Sequence, residues 1–168
     1  MINDVDRKVT PRCYSIANAP TNDGEIILQI TRVPDGETSN WVHDNLFPGS
    51  MLNMSGPYGT FIGDPSTDGP VLCLVAGTGL APILALADAA LRRGFKQQVH
   101  LVFSAQKEED IYDRGLMSFW NAKHRRFKFI PTLTREEKEG YHHGRIPSIL
   151  SDLYPDLSKH SIYIAGSP

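Results

Sequence analysis

Six consecutive apolar residues, Val71 to Ala76, run straight into Gly77-Thr78-Gly79, and an Ala- and Leu-rich stretch from Pro82 to Arg93 follows. A short unbroken apolar run bounded by glycine fits a strand covered on both faces, as in parallel sheets. The stretch after it reads as a helix. The same alternation continues with a strand over Val99 to Ser104, a helix over Leu116 to Lys123 and a strand over Phe127 to Leu133. A short helix over Pro147 to Leu153 and a strand over Ser161 to Ala165 complete it. Strands and helices alternating at this spacing predict a parallel sheet with helices on both faces, an α/β Rossmann-like arrangement.

The chain before Asp64 has a different texture. Glu25 to Thr31 (EIILQIT) predicts a strand, and Met51 to Ser55 another that ends in Gly56-Pro57-Tyr58-Gly59. Between them Thr38 or Ser39 is expected to cap a short helix through Trp41, Val42 and Leu46. The stretch Asp64-Pro65-Ser66-Thr67-Asp68-Gly69-Pro70 is turn chemistry throughout. It predicts a seam between residues 1–64, part of an antiparallel β-barrel, and residues 70–168, the α/β part. The β region supplies too few strands to close a barrel, and the chain stops at Pro168 just after a strand. A chain cut short at both ends, with open sheet edges, is therefore expected.

Charge and cysteine usage narrow the function classes. A formal net charge of −2 gives no global field favouring nucleic acid or an anionic membrane. No apolar run is long enough to span a bilayer, and the N-terminus lacks the pattern of a secretion signal. The two cysteines, Cys13 and Cys73, lack cluster or zinc spacing. No metal site is expected, and a cytoplasmic setting with reduced thiols is. His142-His143 reads as a solvated turn, Lys123-His124-Arg125-Arg126 as a solvated helix end, and Glu136 to Glu139 as an exposed loop. Trp41 and Trp120 are expected in the core.

Two stretches carry chemistry. Gly77 to Pro82 follows a buried strand and opens a helix, so the glycines let the backbone approach a ligand while the helix start offers free N–H groups to a pyrophosphate. Taken alone it also fits a plain strand-to-helix turn, since the third glycine of the dinucleotide fingerprint is missing. Arg12-Cys13-Tyr14-Ser15 offers a guanidinium for phosphate, a phenol ring for stacking and a hydroxyl for a ring nitrogen. Taken alone it also fits an alternating strand.

Together with other segments, these stretches resemble the ferredoxin-NADP reductase superfamily. Arg12 to Ser15 resembles its RxYS flavin motif and Gly36-Glu37-Thr38-Ser39 its GxxS pyrophosphate motif. Gly56 to Phe61 resembles its GPxGxF segment, Gly77 to Pro82 its GTGxAP nucleotide motif, and Ala165 to Pro168 the start of its CGxP motif. The five stand in family order and cover nearly the whole chain. Within the superfamily they are most similar to the reductase components of bacterial ring-hydroxylating oxygenases.

The resemblance implies roles. Arg12 is expected to neutralise the FAD pyrophosphate, Tyr14 to lie against the isoalloxazine and Ser15 to hydrogen-bond near flavin N5. Thr38 and Ser39 are expected to bind the pyrophosphate through hydroxyl and backbone N–H groups. Gly77, Thr78 and Gly79, with Pro82 opening the helix, are expected to carry the nicotinamide nucleotide, with Thr78 near both rings. Gly166 and Pro168 would border the nicotinamide pocket. Thr134-Arg135 resembles a pair that contacts a 2′-phosphate in NADPH users but also occurs in NADH users. The chain departs from the family pattern at Ala165, where many members have cysteine, and at Ser104-Ala105-Gln106, where many read Gly-Ala-Arg.

The implied activity is hydride transfer from NADH (NADPH being possible) to FAD, with electrons passed to an iron–sulfur ferredoxin or oxygenase component. Any [2Fe-2S] centre would lie on another segment or partner. Asp110-Ile111-Tyr112 is read as packing. The alternative is a nucleotide-binding module without turnover of its own.

Overall fold

The computed structural model describes residues 1–4 and 9–166. Strands β1 (Ile2–Asp4) and β2 (Leu52–Met54) pair antiparallel, with helix α1 (Glu37–Asn45) between them in sequence. Five more strands follow: β3 (Val71–Ala76), β4 (Val99–Ala105), β5 (Phe127–Leu133), β6 (His142–His143) and β7 (Ser161–Ala165). They form one parallel sheet in the order β6-β5-β4-β3-β7. Helices α2 (Leu80–Arg92), α3 (Arg114–Lys123) and α4 (Ile146–Leu153) connect them.

Side-chain alternation along β3 explains its apolar run. Cys73 and Val75 point into a core shared with Leu80, Ile83 and Leu84 of α2 and with Met117 and Trp120 of α3. Leu72 and Leu74 point the other way, into a smaller core with Val102, Ile130 and Ile149 of α4. Both faces of β3 are thus covered, as a strand inside a parallel sheet requires. Trp120 is buried with its ring edge-on to Phe127.

Several expectations need correction in the first 64 residues. Glu25 to Thr31 is not a continuous strand; its pairing is the single bridge Ile16–Leu28. The carboxamide of Asn18 replaces the ladder, accepting from the Ile27 N–H at 2.8 Å and donating to Glu25 O at 3.0 Å. Helix α1 is capped by Gly36, not by Thr38 or Ser39, which lie inside its first turn and are buried. Gly36 is held there by crowding, since a Cβ would stand 2.6 Å from Ser39 Oγ. Trp41 is only half-buried.

His142-His143 is also not a turn. It adds a short strand to the edge of β5, with both side chains exposed. Gly144 N–H donates to Leu133 O at 2.8 Å and the buried Thr132 hydroxyl donates to Gly144 O at 2.7 Å, so the free edge of β5 draws the segment into register. Glu136 to Glu139 is tied down as well: Lys138 pairs with Glu108, and Glu136 accepts the Glu108 N–H.

Candidate functional site

Strand order locates the site. From β3 the chain moves outward to β4 and β5, then returns to place β7 on the other side of β3. Where strand order reverses, the loops leaving the first strand and the strand placed on its other side, β3 and β7, diverge and open a crevice at their carboxyl ends. Gly77-Thr78-Gly79 leaves β3 at that point as a short 3₁₀ turn, and Gly166 leaves β7 beside it.

Packing there is close. A Cβ on Gly79 would stand 2.3 to 2.4 Å from the Ala165 carbonyl and the Gly166 nitrogen. Gly77 has φ 52°, a left-handed conformation that favours glycine, with open space where a side chain would project. Thr78 is exposed. The first turn of α2 contains no carboxylate, so its free N–H groups face no competing anion from the helix itself. Pro82 sits in this turn.

Tyr112 is a further residue of this site, beyond the packing role read for it. Its hydroxyl donates to Gly77 O at 2.6 Å, and its ring lies edge-on to Phe103. Burial, reinforced by neighbouring Asp113, pushes its pKa up to about 12. It therefore stays a protonated donor at working pH. Nothing in its spacing distinguished this from packing, because its partner lies 35 residues earlier in the chain.

The first 64 residues gather a second group. Arg12 bridges to Ile2 through the backbone and is exposed, its Nη1 donating to Pro11 O. Its charge is felt both by Tyr14 and by Glu37 in the first turn of α1, so Arg12 lies near both. Burial raises the Tyr14 pKa and Arg12 opposes it. Ser15 is exposed. Glu37 is held below the usual carboxylate range chiefly by the Thr10 hydroxyl. The hydroxyls of Thr38 and Ser39 are engaged internally. Thr38 donates to Thr10 O at 2.5 Å, and Ser39 donates to Gly36 O while accepting from Val33 N–H. What these two residues present at the helix start is backbone N–H.

Thr134 and Arg135 lie apart from the β3–β7 crevice, at the carboxyl end of β4 and β5. Their N–H groups donate to Ala105 O and Gln106 O at 2.9 Å. The Arg135 side chain is exposed in a hollow of about 390 Å³ that Glu108, Glu109 and Glu136 also line. Glu108 accepts from Lys138, Tyr141 and Arg114, and these donors hold its pKa down to about 2. Pro168 lies outside the described residues. Among the described residues no three His, Cys, Asp or Glu side chains gather as a metal site. Among the same residues no helix is long and apolar enough to cross a membrane.

A hollow of about 690 Å³ lies elsewhere. It is mainly apolar, and Val71 and Val99 place it at the opposite ends of β3 and β4.

Contacts across residues 64–70 join the two groups. Ala19 N–H donates to Asp88 at 3.4 Å, Asp64 N–H donates to the Tyr163 hydroxyl at 3.0 Å, and Gln29 donates to Asp113.

Comparison with known proteins finds two domain matches along the chain. Residues 1–62 match the oxidoreductase FAD-binding domain and residues 73–168 the oxidoreductase NAD-binding domain. A ferredoxin–NAD(P)⁺ reductase component of the naphthalene 1,2-dioxygenase/salicylate 5-hydroxylase systems of Ralstonia sp. is 34% identical, over 95% of this chain and 49% of the relative. The reductase subunit of an Amycolatopsis aromatic O-demethylase is 32% identical, over 94% of this chain and 48% of the relative. Among solved structures, the ferredoxin reductase in carbazole 1,9a-dioxygenase superposes with a TM-score of 0.84 at 27% identity, covering 99% of this chain and 50% of that one. The chain spans about half the length of the curated relatives it matches. The glycine loop at the sheet's switch point and the domain match over residues 73–168 give one conclusion: the chain belongs to the oxidoreductase NAD-binding domain family, with an FAD-binding domain in front and a ferredoxin-reductase-like fold.

Proposed function

We propose that this chain takes part in electron transfer from a nicotinamide nucleotide through FAD to an iron–sulfur ferredoxin or oxygenase component. The observation that carries the reading is the meeting of Gly77, Gly79 and Gly166 at the switch point, where backbone closeness leaves no room for a side chain at Gly79. When bound, the cofactors would supply the chemistry, a hydride donor in the nicotinamide and a hydride acceptor in the flavin.

The chain's own residues bind and orient. Gly77 to Gly79 and the start of α2 hold the nucleotide phosphates, with Thr78 presented to the crevice. Arg12 and the backbone N–H groups of Thr38 and Ser39 hold the FAD pyrophosphate. Tyr14 and Ser15 orient the flavin ring. Gly166 borders the nicotinamide, and Thr134 and Arg135 the adenosine end. The functional boundary falls at residues 64–70. The resemblance to oxygenase reductases favours NADH as donor, and the two free cysteines favour a cytoplasmic setting.

Titration of the chain with FAD, followed by flavin fluorescence, tests the reading. Saturable one-to-one binding supports it. Absence of binding contradicts the flavin assignment and leaves a nucleotide-binding module.

A further inference from the structure

Gln29 lies among the residues that match the FAD-binding domain, yet its Nε2 donates to Asp113 Oδ2, 84 residues further on. Asp113 has φ 52° and ψ 19°, a left-handed conformation, at the N-terminus of α3, and makes no capping hydrogen bond with its side chain. Aspartate and asparagine enter this region more readily than other side chains, and tertiary contacts decide whether they stay there. The residue before it, Tyr112, donates to Gly77 O, and Gly77 O also accepts the Leu80 N–H. Gln29 thus touches a residue in the left-handed conformation, next to the side chain that pins the glycine loop. Gln29 Oε1 is buried without a partner among the described residues. A buried acceptor left without a donor is unfavourable, so the Asp113 contact is the interaction that orients this amide.

We infer that Gln29 and Asp113 are positioning residues that couple the FAD-binding half to the glycine loop. The Gln29–Asp113 contact fixes the backbone at Asp113, which sets the Tyr112 hydroxyl against Gly77. The consequence for nucleotide affinity rests on the reading of Gly77 to Gly79 given above; the consequence for loop order does not.

Amide hydrogen exchange on the full chain, with NADH and FAD titrations, tests this. Gln29→Ala accelerates exchange of the Leu80 N–H and weakens NADH binding, each about tenfold, the scale of one lost hydrogen bond, while FAD affinity holds. Asp113→Asn keeps an acceptor oxygen and tolerates the left-handed backbone, so it behaves as the wild type. Gln29→Glu sets two carboxylates face to face. It loosens the loop at neutral pH and recovers as the pH falls and one proton bridges the pair, which a general loss of fold would not do. Unchanged Leu80 exchange and NADH affinity in Gln29→Ala and Gln29→Glu, with amides of β4 still protected, would overturn the coupling. A wild-type chain that binds no NADH, but whose Leu80 exchange responds as described, contradicts the nucleotide assignment and keeps the coupling.

Discussion

Gly79 faces the carbonyl of Ala165 so closely that a Cβ would stand 2.3 Å from its carbon and 2.4 Å from its oxygen. Both neighbours are backbone, so nothing flexible can yield. Gly79→Ala is expected to cost at least the ~1–3 kcal/mol of an overpacked core and to abolish NADH binding. Gly115→Ala is the control. Gly115 lies in α3, with nothing within 4 Å of its would-be Cβ, and alanine there should stabilise by about 0.5–1 kcal/mol. Denaturant midpoints and nucleotide titrations of both variants check the contrast.

Tyr112→Phe removes the donor to Gly77 O and keeps the ring against Phe103. The expected stability loss is about 0.5–1.5 kcal/mol, with a larger proportional loss in NADH affinity than in FAD affinity. Equal losses for the two ligands would deny the hydroxyl a role specific to the glycine loop.

Glu108 carries a pH dependence. Its folded pKa of about 2 lies below the ordinary 4.5, because Lys138, Tyr141 and Arg114 hydrogen-bond the carboxylate. A depressed carboxyl contributes stability above its unfolded pKa and loses it as pH falls toward the folded value. The wild type should therefore lose stability between about pH 4.5 and about pH 2, and Glu108→Gln should show a shallower slope there. Urea melts across that window measure it.

Cys73 and Cys13 should differ in reactivity. Burial pushes the Cys73 thiol up to about 12, whereas Cys13 is exposed. A thiol reagent added to the cofactor-free folded chain should label one cysteine per molecule and, in denaturant, two. Rapid labelling of Cys73 in the folded chain would show that the core around β3 opens readily.

Arg12→Ala removes the only side-chain cation assigned to the FAD pyrophosphate. FAD binding should weaken by about 1.5–3 kcal/mol, the scale of a charge-assisted hydrogen bond. An unchanged dissociation constant would remove Arg12 from the flavin site.

The α/β half was legible in sequence because its signals are local. Val71 to Ala76, Phe127 to Leu133 and Ser161 to Ala165 are uniformly or alternately apolar, and the structure has strands over those same residues. The first half was less legible. The apolar residues of Glu25 to Thr31 look like a strand, yet Ile26 and Ile27 are exposed and Asn18 takes the hydrogen bonds a ladder would use. No periodicity reveals a side chain substituting for a strand. Thr38 and Ser39 mislead in the same way, because cap-forming residue types here bury their hydroxyls inside the first turn. The tie of Tyr112 to Gly77 and that of Gln29 to Asp113 are tertiary and leave no mark on local sequence.

The central claim is that these residues hold flavin and nicotinamide together for hydride transfer. The most direct measurement is the visible spectrum of the FAD-loaded chain, desalted and mixed anaerobically with NADH. The account predicts retained flavin bands that bleach on mixing. Retained bands that persist with both NADH and NADPH would contradict it.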